Sequence, residues 1–166
     1  MPDTLILLRS QQLGVPVAAV PLLWAAVHVV RSSSSFAGGT LTDRVGPKRT
    51  MWAGWVVYAA LALGMARAAT AGAAWALFLG LGLVAGLTES PERALVARLA
   101  GGSHRGSGFG VYHGVTGLAA LVGGVALGGV FQTGGGSRAF LASALLAALL
   151  AVSSSAHYLR RNAEAL

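Results

Sequence analysis

The chain has little charge and no cysteine, and each shortage excludes or disfavours a class of protein. Only 10% of its 166 residues are charged, whereas soluble globular domains have about 25%. Because so few charged side chains cannot cover a soluble core, the composition disfavours a water-soluble fold. The absence of cysteine excludes a disulfide framework and a cysteine-based metal or redox site.

The alternation of polar and apolar residues that marks a membrane β-barrel is also missing. Hydrophobic residues make up 55% of the sequence and gather in continuous runs rich in Ala and Leu. A helix satisfies its own backbone hydrogen bonds in lipid, so these runs predict helices. The predicted fold class is all-α, a polytopic transmembrane helical bundle in a lipid bilayer.

Five of the runs are long enough, or nearly so, to cross a hydrocarbon core of about 30 Å, which takes about 20 helical residues. They lie at 17–36, 51–69, 73–94, 109–131 and 140–158. The stretch 1–13 is predicted as a partial helix, the outer part of a sixth, and the chain 1–166 as a single transmembrane domain. The connections at 38–49, 67–72, 92–108 and 133–138 are short, so we expect adjacent helices to be antiparallel neighbours.

The formal net charge of +7 suggests a nucleic-acid surface at first sight. The basic residues do not form one solvated face, however, and each cluster lies next to an apolar run, so nucleic acid is not an expected partner. Alternate connections must lie on opposite sides of the membrane. Arg67 and Arg138 lie on the side with fewer basic residues. The richer side, expected to be cytoplasmic and to hold the carboxy terminus, has Arg44, Lys48, Arg49, Arg93, Arg98, Arg105, Arg160 and Arg161.

The most specific motif lies between the first two full-length runs, in the segment GTLTDRVGPKR at 39–49. Glycines permit a tight turn, the carboxylate of Asp43 is suited to accept hydrogen bonds from helix-end amides, and the basic residues fix topology. An ordinary turn of the positive-inside type explains the charges but not the ordered spacing. The positions that carry the pattern are Gly39, Leu41, Asp43, Arg44, Gly46, Lys48 and Arg49.

This segment resembles the signature loop of the major facilitator superfamily, which lies between the second and third helix of each six-helix half. Thr42 and Pro47 depart from the commonest residues of that loop, although Arg49 supplies a charge beside Pro47. The stretches LILLRSQQLG, WAAVHVV, LTESPERALVARL and GFGVYHGVTGLAALVGG resemble the seventh, eighth, tenth and eleventh helices of one bacterial branch. The resemblance implies a carboxy-terminal half whose partner is the missing amino-terminal half or a second copy.

Charged residues inside apolar runs are candidates for a substrate or proton path. Arg31 must face a partner or a water-filled cavity, or extend to the interface, because an unpaired charge in lipid costs at least about 2 kcal/mol. Glu89 and Glu92 lie near the inner end of the third full run, where they form either a local ion-pair cluster with Arg93 and Arg98 or a proton-binding site.

Aromatic and imidazole side chains complete the candidate path. Trp24 and Tyr112 are suited to line a substrate cavity, and His113 lies within a membrane run, where a histidine is more often a packing residue than a relay. The spacing of the titratable residues predicts no metal site, and no cofactor is expected. Glycines four residues apart, Gly82 with Gly86, Gly110 with Gly114 and Gly124 with Gly128, predict close approach of neighbouring helices.

The function implied by the resemblance is transport of a small-molecule solute across the inner membrane of a bacterium, with efflux or solute–proton antiport favoured. No nucleophile, base and orienting group assemble in the sequence, so an enzyme is not expected. The alternative is a membrane subunit that does not transport and instead binds a partner membrane protein.

Overall fold

The computed structural model describes residues 3–101 and 105–163, and the regular elements of those residues are helices. This confirms the predicted fold class, a helical bundle. The elements are α1 (Asp3–Gln12), a short 3-10 helix (Val17–Ala19), α2 (Val20–Val45), α3 (Pro47–Arg67), α4 (Ala71–Ala100) and α5 (Arg105–Ala163). Residues 1–2 of the predicted partial helix and 164–166 of the carboxy terminus lie outside the described residues.

Helix α5 consists of two arms joined at Gly135. That residue has φ 79° and ψ 167°, a conformation that side-chain-bearing residues rarely adopt. We call residues 105–134 the first arm and residues 136–163 the second arm. Each arm exceeds the roughly 20 residues that a membrane crossing needs.

Three stretches of the described chain are long and apolar enough to cross a membrane. They are Val17–Val45, Ala71–Ala100 and Gly106–Ser155, the last of which contains the bend at Gly135. Helix α3 has 21 residues, but basic side chains lie at both of its ends, at Lys48, Arg49 and Arg67. Its length fits a crossing, although it is less apolar than the other three stretches.

The predicted connections at 38–49, 92–108 and 133–138 are wrong in extent, because the helices continue beyond the apolar runs. Between α2 and α3 only Gly46 is non-helical, with φ 89°, and Pro47 already begins α3. Helix α4 runs on to Ala100, and within 133–138 only Gly135 departs from helical geometry. Hydropathy marks where a chain leaves lipid, whereas backbone hydrogen bonding continues into the polar interface.

Helix α2 packs mainly against α4, not against its neighbour in sequence, α3. Helices α2 and α3 still contact each other and run antiparallel, as expected for adjacent helices, but α4 and not α3 is the main partner of α2. Val27 packs on Gly82, and Arg31 and Ser34 pack on Gly86, so α2 and α4 run parallel. Helix α3 pairs antiparallel with α4 and with the second arm of α5.

Both the turn at Gly46 and the carboxyl end of α4 lie at one end of the bundle, which we call the basic end because Arg44, Lys48, Arg49, Arg93 and Arg98 are there. Toward the opposite end lies the apolar core, in which Leu23, Met65, Phe78 and Phe140 are buried.

Arg9 fixes α1 to that opposite end. Its guanidinium donates to the carbonyl of Ala68 at 3.2 Å and to Ser137 Oγ at 2.8 Å. A cation next to the last carbonyls of α3 also interacts favourably with the helix dipole. One side chain thus joins α1, the end of α3 and the start of the second arm.

Candidate functional site

An ion pair joins α2 to α4 inside the apolar part of the bundle. Arg31 Nε donates to Glu89 Oε1 at 3.1 Å, and Nη2 of the same guanidinium donates to the same oxygen. The two side chains are 36% and 29% exposed, so the pair is partly withdrawn from solvent. Among the described residues it is the one salt bridge, and the interpretation of Glu89 as paired locally with Arg93 is wrong.

The second carboxylate, Glu92, contacts a different helix. Tyr112 in the first arm of α5 donates its hydroxyl to Glu92 Oε2 at 2.8 Å. Since Glu89 and Glu92 are three residues apart, they lie on neighbouring parts of one face of α4. That face therefore connects α4 to α2 through a charge pair and to α5 through a hydrogen bond.

Between the two glutamates, Pro91 is buried inside α4. A proline has no backbone N–H, so the Leu87 carbonyl one turn earlier loses its helical partner. Gly38 of α2 lies against that peptide, where a Cβ at residue 38 would stand 2.7 Å from the Leu87 oxygen. Ser90 Oγ also donates to the Ser35 carbonyl at 3.1 Å. The carboxylates thus flank a backbone-to-backbone contact of α2 with α4.

A cavity of about 670 Å³ lies between the helices, and all five contribute to its lining. Most of the wall is apolar, and Trp55, Tyr58 and Phe78 supply aromatic rings. Two lining residues, Tyr58 of α3 and Ser143 of the second arm, share a hydrogen bond of 2.9 Å. The charged or imidazole side chains of the lining are Asp3, His28, Arg31 and Glu92.

His28 lines the cavity, and two of the predicted path residues, Trp24 and His113, lie beside it. His28 Nδ1 is 2.9 Å from the Trp24 carbonyl, and the two rings are 4.8 Å apart. His113 is exposed and stacks on Phe109, with ring centroids 6.3 Å apart. The structure thus pairs Arg31 with Glu89 and Glu92 with Tyr112. Of the predicted path residues, Arg31 and Glu92 line the cavity, whereas Trp24, Glu89, Tyr112 and His113 lie outside its lining. Among the described residues, no group of three His, Asp or Glu is placed to hold a metal.

The signature segment forms the end of α2 and the start of α3. Gly39, Leu41, Asp43 and Arg44 belong to the last turns of α2, Gly46 makes the turn, and Lys48 and Arg49 lie in the first turn of α3. Asp43 is exposed, and no amide of the described chain donates to its carboxylate. The predicted bond to helix-end amides is wrong, because a helical side chain points back toward the helix amino terminus.

The turn at Gly46 is instead closed by one backbone hydrogen bond and one bond from a threonine side chain. Gly46 N donates to the Thr42 carbonyl at 2.9 Å, and Thr50 Oγ1 donates to the Gly46 carbonyl at 3.0 Å. The side chains of both threonines are buried. A bond like that of Thr50, from the side chain to a carbonyl one turn earlier, is common for threonine. It therefore does not allow a turn to be predicted from sequence.

Asp3, Tyr58 and Ser143 are among the lining residues that were not anticipated from the sequence. Asp3 lies at the start of a short stretch, where an acidic residue usually indicates only the first turn of a helix. Tyr58 and Ser143 are ordinary residues of apolar runs, and only their pairing across helices distinguishes them. Of these three residues, Asp3 is the one that the sequence could have indicated, because it is a charged residue next to an apolar stretch.

The comparison with protein families gives one match over nearly the whole chain. The family model described as Major Facilitator Superfamily matches residues 4–165. No curated protein matches the sequence.

Proposed function

The chain belongs to the major facilitator superfamily, and we propose that it is the carboxy-terminal half of a secondary transporter and supplies one wall of the solute pathway. Members of this superfamily are generally transporters and not enzymes, so the chain is a multi-pass membrane transport protein. Its partners are the lipid bilayer and a small-molecule solute. The observation that carries the proposal is the cavity, whose mostly apolar wall includes Asp3, Arg31 and Glu92.

A pathway between two halves explains the surface of this chain. In such transporters the solute site lies near the bilayer midplane, where two repeats related by an axis along the membrane normal meet. Here the first arm of α5 leaves Val111, Val115, Leu118 and Val125 more than 60% exposed. An amino-terminal half, or a second copy, would cover part of that surface.

Coupling to protons and a role in efflux are part of the proposal. A carboxylate in a partly dry site can bind and release a proton as the site opens to either side of the membrane. Glu92 is suited to this role because it lines the cavity, and Glu89 is held by Arg31. Arg31, Glu89, Glu92 and Tyr112 therefore form the proposed proton path, with Trp24 and His113 beside it.

The basic end is proposed to face the cytoplasm of a bacterial inner membrane, together with the carboxy terminus. Five described basic residues at that end, against Arg9, Arg67 and Arg138 at the other, support this orientation. Because the chain has no cysteine, D43C and R138C each introduce a single label site. An impermeant maleimide added to intact cells should label R138C and spare D43C, and the reverse pattern would overturn the orientation.

Reconstitution into vesicles tests the transport proposal. We expect no gradient-driven flux from the chain alone, and flux when it is joined to the amino-terminal half of a facilitator. Asp43→Ala in the joined protein should lower transport while membrane abundance holds, since in related transporters this segment engages the other half. Robust flux from the short chain alone would contradict the half-transporter proposal.

The alternative, a subunit that binds another membrane protein without transporting, is favoured by the same exposed first arm. It predicts that the chain co-purifies with one membrane protein and that the joined protein shows no flux. Equal loss of abundance and transport in Asp43→Ala would show that Asp43 serves folding alone.

A further inference from the structure

The cavity differs from its surroundings in the balance of charge on its wall. Asp3 on α1 and Glu92 on α4 contribute carboxylates, and Arg31 on α2 contributes the one cationic side chain of the lining. His28, also on α2, has its Nδ1 at 2.9 Å from the Trp24 carbonyl and is not counted among the charged side chains. The lining therefore has two negative charges and one positive charge.

The positive charge is already balanced from outside the cavity. Both Nε and Nη2 of Arg31 are directed at Glu89 Oε1, and Glu89 is not part of the lining. Neither Asp3 nor Glu92 forms a salt bridge with any described side chain, and the one described donor to Glu92 is the neutral hydroxyl of Tyr112. A ligand in the cavity thus meets an excess of negative charge.

The rest of the wall favours an apolar, ring-bearing ligand. Trp55, Tyr58 and Phe78 present aromatic rings, and aliphatic side chains from α4 and both arms of α5 fill most of the remainder. Aromatic faces attract cations as well as apolar groups. The volume of about 670 Å³ is within the range of about 300–1,000 Å³ that holds drug-sized ligands.

We infer that the cavity binds amphipathic organic cations, with the charged group attracted by the carboxylates of Asp3 and Glu92 and the apolar body against the aromatic wall. This inference rests on the proposed function, because it assigns a substrate class to the same cavity. An anion of the same shape would meet two carboxylates, and a small hydrated cation would leave the aromatic wall without a contact.

Tetraphenylphosphonium and tetraphenylborate are suitable probes, because they have nearly the same shape and opposite charge. The purified full chain is placed in nanodiscs, and equilibrium dialysis of each radiolabelled ion is corrected with empty nanodiscs. We expect the phosphonium to bind at least about tenfold more tightly than the borate. Glu92→Gln and Asp3→Asn should each weaken phosphonium binding about five- to tenfold, the effect of losing one charge roughly 12–17 Å from the cation at an effective dielectric constant of about 20.

Asp43→Asn is the matched control, because it removes the same charge from an exposed position outside the cavity, and phosphonium binding should not change. Equal or tighter binding of borate, binding that is insensitive to both cavity substitutions, or no binding of phosphonium would each overturn the inference. Failure of the transport proposal has a different signature. In that case the phosphonium binds as expected, yet it is not moved by the protein joined to an amino-terminal half.

Discussion

The α2–α4 interface and the first arm of α5 have the same glycine spacing, yet they are packed in opposite ways. Gly82 and Gly86 are buried, with Val27, Arg31 and Ser34 of α2 seated on them. A side chain added at Gly110 or Gly114 would meet no other described atom within 4 Å. The spacing of four residues therefore marks a face on which a helix can pack, and it does not show whether this chain contains that helix.

The difference has an energetic meaning. In lipid, helices associate through close packing and interhelical hydrogen bonds, not through the hydrophobic effect. The α2–α4 interface has both, since the glycine contacts are accompanied by the Arg31–Glu89 pair and the Ser90 to Ser35 bond. The first arm is joined to α4 mainly near the basic end, where Tyr112 binds Glu92 and Ala100 lies against Gly108.

The largest effect is expected where the tight interface is overfilled. Gly86→Leu places a side chain against the Arg31 carbonyl and Ser34 Oγ, and because backbone cannot yield, we expect a loss of about 3 kcal/mol or more. Thermal unfolding in detergent, followed by tryptophan fluorescence, measures it. Gly114→Leu makes the same change on the open face and is the control. Equal destabilisation by both would show that the two regions do not differ in packing.

Loss of the ion pair should rank second. Arg31→Ala leaves the Glu89 carboxylate without its partner in a site about one-third exposed. We expect destabilisation of about 1–3 kcal/mol, between the values for exposed and buried pairs. The double variant Arg31→Glu with Glu89→Arg should recover part of the loss, and Arg67→Ala, at the far end of α3, should change stability little. If Arg31→Ala behaves as Arg67→Ala does, the pair contributes nothing to the interface.

The helices could be predicted from sequence because lipid imposes a strict rule, that backbone polar groups be satisfied within the segment. Their ends could not, because helices continue past the apolar runs, as α2 does to Val45 and α4 to Ala100. The order of packing also escaped prediction. The pairing of α2 with α4 depends on close contacts of Gly38 with the Leu87 backbone and of Gly86 with the Arg31 carbonyl. The hydropathy of a sequence does not predict such contacts.

The candidate site was predictable in its charged members and not in its partners. A charge within an apolar run singles out Arg31, Glu89 and Glu92, because its cost in lipid requires a reason. That Arg31 pairs with Glu89, and that Tyr112 binds Glu92, depends on the rotation of three helices about their axes. The expected hydrogen bonds from helix-end amides to Asp43 are absent from the described residues for a different reason, since helix geometry directs its side chain away from α3.

A smaller effect, confined to the loose region, is expected from Tyr112→Phe. It removes the hydroxyl that donates to Glu92 at 2.8 Å, so we expect a loss of about 0.5–1.5 kcal/mol. Amide hydrogen exchange of the first arm should become faster. Tyr58→Phe removes an equivalent bond, to Ser143 of the second arm, and should leave first-arm exchange unchanged. Faster first-arm exchange in both variants would mean that the two arms loosen as one unit.

The smallest effect is expected from Gly114→Leu in the chain alone. The added side chain projects into space that no described atom occupies within 4 Å, and such surface changes usually alter stability by less than about 0.5 kcal/mol. The same substitution should behave differently when the chain is joined to a facilitator amino-terminal half. If the first arm packs against that half, leucine separates the two and lowers transport.

Gly128→Leu is a second open-face substitution, because a side chain there also meets no described atom within 4 Å. It lies about four helical turns from Gly114 along the same arm. Thermal unfolding of the chain alone and flux of the joined protein are measured for both variants. A drop in flux for either variant without a change in the stability of the chain alone would locate the contact between halves. If Gly114→Leu and Gly128→Leu change neither the thermal stability of the chain alone nor the flux of the joined protein, the first arm faces lipid. Its glycines then do not pack against another helix.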